Sequence, residues 1–305
     1  MFRSMMLAAA LALAPVAVGA SDAPGTITIL EGQALIYRGA ARLIAQEGVR
    51  LVLGDMVETA EATFAQIELS DQSVLQLGPS TRLMLSGATV KQKPERWVYV
   101  MNGWGKLSGA KRDAKGGPAL EIRAPLFEIA PNPGVIVFQA SPAEVTMFAE
   151  RGDFRIAERQ ASGPPIGIAL KSGEYYRRKS GARGATGTAA PEFLAKMPRH
   201  YRDSLPSRLD KYRIADVRPK EGPDFTYADV EHWLKAEPSV RRQFVQRYRA
   251  KSKDAAFRAG LVANLSSHFE WDPVLFPEKY LPKDPPPPPP PRDPLPSPVV
   301  PSPVR

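Results

Sequence analysis

The side chains best suited to acid–base or metal chemistry are three histidines, His200, His232 and His268. They lie far apart in the C-terminal third of the chain, and no two have the spacing of a metal-binding pair. The chain contains no cysteine that could complete such a site. We therefore interpret the histidines as ordinary surface or interface residues and predict no metal and no other cofactor.

Two glycine-containing motifs resemble functional signatures without completing them. Gly103-Trp104-Gly105-Lys106 ends like a phosphate-binding loop, but Val100 and Leu107 stand where that loop requires a glycine and a hydroxyl. Gly78-Pro79-Ser80 lacks the remaining residues of a nucleophile elbow. We interpret the first motif as a β-turn anchored by its tryptophan.

Acidic side chains such as Glu128 and Glu144 fall singly on predicted strands, so spacing identifies no acid–base pair. We predict that the chain is not an enzyme and that it binds or scaffolds. The alternative is a secreted polysaccharide-acting enzyme, in which aromatic side chains would line a cleft beside two carboxylates about 5–10 Å apart. The candidate aromatic residues are Trp97, Tyr99 and Trp104.

Basic residues are concentrated in the second half. The whole chain has 41 basic and 32 acidic side chains, of which residues 171–283 hold 23 and 14. We favour the interpretation that Phe244 and Tyr248 face a core while the arginines around them are solvated. The alternative is contact with an anionic envelope surface, such as lipid headgroups or wall polymer. The residues that would make this contact are Arg177, Arg178, Lys179, Arg241, Arg242, Arg247, Arg249 and Lys251.

Residues 1–20 have the order of a secretory signal peptide. Arg3 supplies a positive charge, Leu7–Val18 is apolar, and Val18-Gly19-Ala20 is a small-residue cleavage site. The apolar run is shorter than the roughly 20 residues needed to cross a bilayer, and no later segment qualifies, so we predict no transmembrane span. We expect cleavage after Ala20 and a periplasmic or secreted protein, a location that argues against nucleic acid as a partner.

Residues 21–179 alternate apolar and polar side chains in short runs separated by turns. Ala65, Ile67 and Leu69, for example, alternate with Gln66 and Glu68. Such alternation predicts antiparallel strands with one face in a core and the other in water. We predict a mainly β fold, an antiparallel sandwich or jelly-roll-like domain.

Two segments of this half resemble each other. Gly32 precedes one apolar run and Gly54 follows the next, and Gly152 and Gly173 are placed in the same way later in the chain. We predict that the first and last hairpins of the β domain have similar construction.

The β half also carries an ordered set of short pieces, residues 48–59, 65–83, 100–107, 122–125 and 168–175. This set resembles the FecR domain, the periplasmic ferric-dicitrate-regulator family, over about residues 26–179. The resemblance implies an exported β domain of the binding or signalling kind. The family usually has a glycine after the aspartate of its central turn, where this chain has Gln72, so that turn is expected to differ. A signal peptide stands where the family's regulators have a cytoplasmic segment and a membrane anchor, so transmembrane control of a sigma factor is not implied.

The C-terminal part has a different composition. Residues 180–190 are small and polar and predict a flexible linker. In residues 191–283 the hydrophobic period becomes helical, and Thr226 and Asp229 form a capping-box pattern, so we predict a small basic α-helical region that folds separately. Residues 284–305 include seven consecutive prolines and predict a disordered proline-rich tail.

These features together predict an exported, non-catalytic protein with a FecR-like domain. Its expected partner is an envelope protein or an anionic cell-wall or lipid surface. The sequence does not identify that partner.

Overall fold

The computed structural model describes residues 24–90, 93–110 and 120–281. The predicted signal peptide and the predicted proline-rich tail lie outside the described residues and stay predictions. In the described part the protein is mainly β, and its short helices all lie in the C-terminal region. The predicted fold class is confirmed for the β domain and for the helical region.

Strands of the described residues form two sheets that share the long strand β9, whose first half lies in one sheet and second half in the other. Every named strand pair is antiparallel except β9 with β10. The strands are β1 Gly25–Glu31, β2 Ala34–Arg38, β3 Ala41–Ile44, β4 Arg50–Leu51, β5 Met56–Thr59, β6 Phe64–Leu69, β7 Val74–Leu77, β8 Arg82–Val90, β9 Lys93–Ser108, β10 Leu120–Arg123, β11 Phe127–Ile129, β12 Val135–Ala140, β13 Glu144–Arg151, β14 Phe154–Glu158, β15 Ile166–Leu170, β16 Tyr175–Lys179, β17 Ala185–Gly187 and β18 Lys220–Glu221.

We call the two sheets A and B. Sheet A has the order β4-β1-β6-β7-β9-β12-β13-β16-β17. Sheet B has the order β18-β3-β2-β5-β8-β9-β10-β11-β14-β15. Because β9 is central in both, the first eight strands lie on one side of it and β10 to β17 on the other.

The main hydrophobic core lies between the sheets. Ile67 of sheet A and Leu83, Val98 and Val100 of sheet B are buried there together. The residues that alternate with them point away from this core, as the period of a strand requires.

Part of each outward face is not in water, and for those parts the prediction is wrong. On sheet B the outward side chains of Met84 and Tyr99 are buried. On sheet A the outward side chains are partly polar, yet Gln66 is only 1% exposed and Glu68 5% exposed. The C-terminal region covers these parts of both faces.

Five α-helices are described in the C-terminal region, α1 Pro191–Lys196, α2 Tyr227–Leu234, α3 Pro238–Arg247, α4 Ala255–Ala263 and α5 Asp272–Leu275. Thr226 and Asp229 form the predicted capping box at the start of α2. None of the helices in the described residues has the length and apolar character of a membrane span.

Helices α2, α3 and α4 cover the outer face of sheet B along β2, β5, β8 and β9. Trp233, Phe244 and Tyr248 are fully buried and pack in one hydrophobic cluster with Tyr37 and Met56 of the sheet. Phe244 and Tyr248 therefore face a core, as expected. A buried aromatic side chain contributes about 1.5–3 kcal/mol or more, so this contact is a large part of the stability of the protein.

Residues 191–213, which begin with α1, cover part of the outer face of sheet A. Phe193 packs on Trp104 with ring centres 5.3 Å apart, and the buried Tyr201 hydroxyl donates to the carbonyl of Trp104 at 2.9 Å. Farther along, the backbone N–H of Arg208 donates to the Glu68 carboxylate at 2.7 Å. These partners satisfy polar groups whose burial would otherwise be costly.

This packing changes two expectations about the C-terminal part. Residues 185–187 of the predicted flexible linker form β17 and pair with β16, so the linker prediction is wrong over that strand. The domain boundary near residue 180 stays a prediction. Independence of the two parts does not fit the packing, because each covering cluster contains side chains from both.

Candidate binding edge and the clusters around it

Two of the histidines fasten the C-terminal region to the sheets. His200 Nε2 lies 2.9 Å from Glu31 Oε2, and its ring stacks on Phe64 with centres 4.4 Å apart. His232 Nε2 lies 2.8 Å from Oε1 of the partly buried Glu58. Each imidazole thus meets a different carboxylate.

The pKa of Glu58 shows how firmly that carboxylate is held. Burial alone would raise this pKa, but hydrogen bonds from His232 and Trp233 and the nearby Arg82 hold it below its usual range. The charged carboxylate accepts the Trp233 indole N–H at 2.7 Å. It therefore serves to attach α2 to β5.

The third histidine is buried inside the helical region. His268 Nε2 lies 3.0 Å from the hydroxyl of Tyr227, and burial lowers its pKa. Among the described residues, no group of histidine and carboxylate side chains is placed to hold a metal ion.

The aromatic side chains of the polysaccharide-enzyme alternative do not form a shared open cleft. Tyr99 is 3% exposed and Trp104 8% exposed. Trp97 is half-buried, with the guanidinium of Arg123 4.3 Å from its ring centre. The three side chains also divide between sheets, because Trp104 faces the cover of sheet A and Tyr99 that of sheet B.

Two carboxylates line the small pocket beside Trp97, but one arginine engages both. Arg159 Nη1 donates to the two oxygens of Glu237 at 2.7 and 2.8 Å, and Arg159 Nε lies 3.7 Å from Glu128. Burial alone would lower the pKa of Arg159, yet the bond to Glu237 raises it. The cluster ties the start of α3 to the end of β14.

The motif that ends like a phosphate loop is not a turn. Gly103–Lys106 lies within β9, so the β-turn interpretation is wrong. Lys106 is buried, its Nζ lies 2.8 Å from Glu150 Oε2, and it donates to the carbonyl of Tyr201. This lysine holds the cover of sheet A in place.

Two of the eight basic residues proposed for anionic contact point inward. Arg178 is 4% exposed, and burial lowers the pKa of Arg247. Each guanidinium donates to three main-chain carbonyls, one from each of its nitrogens, and is held inside the protein by them. The accepting carbonyls are those of Leu126, Arg159 and Ala182 for Arg178, and of Tyr37, Gly39 and Gly54 for Arg247.

The other six basic residues are nearer the surface. Arg241 binds Glu270 at 3.1 Å, Lys251 pairs with Asp224, and Arg177 pairs with Glu144. The remaining three are exposed, and their contact with an anionic surface stays a prediction. They are Lys179, Arg242 and Arg249.

The two ends of sheet B are built alike. At one end β1 of sheet A turns at Gly32 into the hairpin β2–β3, and at the other β13 of sheet A turns at Gly152 into the hairpin β14–β15. Both glycines have a left-handed φ, +96° and +86°. The predicted similarity of the first and last hairpins is confirmed in this respect.

The two ends differ in how their outer strand is finished. β3 pairs with β18, with Lys220 opposite Ile44 and Glu221 opposite Leu43. β15 pairs only with β14 among the described residues. Its outer edge is therefore open along Ile166–Leu170.

This edge differs from the other three sheet edges of the described residues. β4 and β18 have two residues each and β17 has three, whereas β15 has five, all uncharged. Natural sheets protect edges by shortening or charging them, because a long apolar edge accepts further strands. We call residues 166–170 the open edge. Ile166 on it is 40% exposed.

A groove of about 790 Å³ lies beside the start of the open edge. Its walls come from the loop after β14 and the turn between β16 and β17. Ile166, Arg159 and Arg183 are among its lining residues. The groove is wide enough to receive side chains of a strand added at the edge.

A buried ion pair stiffens the floor of this groove. The Glu158 carboxylate accepts from the Tyr176 hydroxyl and the Gly184 N–H, each at 3.0 Å. Arg178 Nε lies 3.8 Å from its other oxygen. Because Glu158 ends β14, these contacts fix the hairpin that presents the open edge.

The sequence patterns included residues 168–175 among the FecR-like pieces but did not identify an edge. The available signal was the uncharged run Ile166-Gly167-Ile168-Ala169-Leu170 directly after Pro164-Pro165. Its position at the end of a sheet depends on pairing between distant strands, and the spacing of neighbouring residues gives no information about that pairing.

No protein-family model and no curated protein matches this chain. The chain is similar to two crystal structures of a candidate anti-sigma factor from Parabacteroides distasonis, at 14% and 13% identity, each with a TM-score of 0.37. The similarity covers 46% of this chain and 62% of each of those chains. It is too distant to carry an argument about function.

Proposed function

We propose that this chain is an exported, non-catalytic protein with a FecR-like β domain that binds another protein chain by strand addition at the open edge. The observation that supports binding is the open edge itself, five uncharged residues whose outer side has no described partner strand. An added strand would gain main-chain hydrogen bonds from the edge and side-chain contacts in the adjacent groove.

The contacts of the carboxylates support a non-catalytic role. Glu58, Glu128 and Glu237 are all engaged by side chains that fasten the C-terminal region to the sheets. A general acid or base needs a proton-transfer group that can reach a substrate. These carboxylates act instead as attachments.

Site-specific cross-linking tests the binding proposal. A photo-reactive phenylalanine analogue replaces Ile168 on the open edge, and a matched control carries it at Val262, a partly exposed residue of α4. Illumination of intact cells should give a protein–protein product from position 168 and none from position 262. Products from 262 alone, or from neither position, would contradict binding at the open edge.

Export is a separate part of the proposal, resting on residues 1–20. On fractionation, cells that express the full sequence should yield the protein, cleaved after Ala20, in the envelope or the medium, and a variant lacking residues 2–20 should be recovered from the cytoplasm. Recovery of both forms from the cytoplasm would contradict export.

A further inference from the structure

We propose that the strand added at the open edge is β15 of a second copy of this chain, so that two copies form a two-fold dimer with a continuous sheet B. This inference rests on the proposed function, since it names the partner for the same edge. The opposite end of sheet B supplies the precedent, because β3 already accepts an antiparallel strand there.

The sequence of β15 is complementary to itself under a two-fold axis through Ile168. Antiparallel pairing about that axis sets Ile168 opposite its own copy, Gly167 opposite Ala169, and Ile166 opposite Leu170. In the β14–β15 register Ile168 lies opposite the buried Ile156, so the three larger side chains share the core-facing side. The outward side then carries only Gly167 and Ala169.

The charges around the edge permit this pairing. β15 has no charged residue, and the next one, Lys171, would lie opposite Pro165 of the other copy rather than opposite a like charge. Arg155 lies one strand further in, on β14. Two chains can therefore approach without like charges facing each other.

A two-fold dimer also solves the problem that an open edge creates. Each copy uses its one long apolar edge, and the remaining edges of the described residues are short or covered. The assembly closes after two copies and offers no similar edge for a third. A dimer of identical copies also needs no second gene product in the same compartment.

Charge reversal on the seam tests both the dimer and its register. One variant of the full chain is Gly167→Lys/Ala169→Lys, and the other is Gly167→Glu/Ala169→Glu. Both positions are exposed, and a side chain at Gly167 meets no atom within 4 Å, so neither variant disturbs the core. In the proposed register each variant opposes like charges at two places, while a mixture of the two opposes unlike charges.

Sedimentation should give a two-copy mass for the wild-type chain, a single-copy mass for each variant alone, and a two-copy mass for their mixture. We expect each variant alone to raise the dissociation constant about tenfold or more. Circular dichroism checks that both variants are folded, and Val262→Lys on α4 is the matched control that should remain dimeric.

The outcomes separate this inference from the proposed function. A wild-type chain that stays single at every concentration, yet cross-links to another protein through position 168, overturns the dimer and leaves strand addition standing. A wild-type dimer that survives in both variants overturns the open edge as its interface. A single chain with no cross-link through position 168 contradicts both proposals.

Discussion

The two ends of sheet B start from the same construction and finish differently. The hairpin β2–β3 receives β18 along its edge and helices over its outer face. The hairpin β14–β15 keeps its outer edge open beside a wide groove. The C-terminal region therefore covers the β2–β3 end of sheet B, which we call the covered end, and leaves the edge of β15 unpaired at the β14–β15 end, which we call the open end. The open end is where we propose that a partner binds.

The comparison also shows what the polar residues of the C-terminal region do. Residues 191–281 carry all three histidines and most of the arginines that resembled a binding surface. At the covered end several of these side chains attach the helices to sheet B, as His232 of α2 does by its contact with Glu58 of β5. At the open end the main chain itself is the binding group, and it leaves little trace in residue types.

The largest expected effect comes from breaking the cover over sheet B. Trp233 is fully buried and hydrogen-bonded to Glu58, so Trp233→Ala should lower the free energy of unfolding by about 3–5 kcal/mol. At the open end, Ile166→Ala removes a side chain that is 40% exposed and should cost less than about 1 kcal/mol. Denaturant titration of the two variants measures the difference between the ends. Equal losses would mean that the two ends are covered alike.

A smaller effect is expected from loosening the strand that caps β3. Arg42 donates to the carbonyls of Pro223 at 2.7 Å and Asp224 at 3.0 Å and pairs with Asp229 at 3.3 Å. Arg42→Ala should cost about 1–3 kcal/mol and make the edge of β3 resemble that of β15. The matched control is Arg155→Ala on β14, whose exposed side chain should contribute less than about 0.5 kcal/mol. If the control costs as much, the cap does not depend on Arg42.

Acid should lower the free energy of unfolding, because His268 is buried among the helices of the covered end. Burial lowers the pKa of His268 from its ordinary value of 6.5, so the unfolded chain binds a proton more readily than the folded chain. The contribution of neutral His268 to the free energy of unfolding is therefore fully present above about pH 6.5 and is lost as the pH falls below that value. Unfolding titrations between pH 7.5 and 5.5 should show this loss in the wild-type chain and a smaller loss in His268→Gln. If the free energy of unfolding fell equally with pH in the wild-type chain and in His268→Gln, a group other than His268 would be responsible for the pH dependence.

The smallest effect lies away from both ends, at the turn between β6 and β7. The FecR resemblance led us to expect a different turn at Gln72, yet Gln72 adopts φ +68°, the left-handed conformation that glycine favours. Gln72→Gly should therefore stabilise the protein by about 0.5–1 kcal/mol and leave both ends unchanged. Thermal unfolding measures it, and a lower melting temperature would contradict the strain at this position.

Local patterns predicted the strands and the helical stripe well, because side-chain periodicity is set by neighbouring residues. The alternation around Ile67 and the stripe through Phe244 and Tyr248 both correspond to buried positions. The burial of Glu68 could not be predicted, since its partners Ser207 and Arg208 lie far along the chain. Long-range cover, rather than local period, decided which polar residues are exposed.

The candidate site was less predictable than the fold. A catalytic site leaves carboxylates, histidines or nucleophiles in the sequence, whereas a strand edge is formed by main-chain groups common to every residue. Only topology shows that Ile166–Leu170 ends a sheet while Ala41–Ile44 is capped. An uncharged strand after two prolines was the sole local indication.

Amide hydrogen exchange in a concentration series tests the central claim most directly. In a dilute solution of the full chain, amides of residues 166–170 should exchange faster than those of residues 42–44 and 64–69. As the concentration rises, or when the cross-linking partner of position 168 is added, protection should appear at 166–170 and stay unchanged at the capped edge. Equal protection of 166–170 and 64–69 at every dilution, or new protection elsewhere only, would contradict an open edge that a partner strand completes.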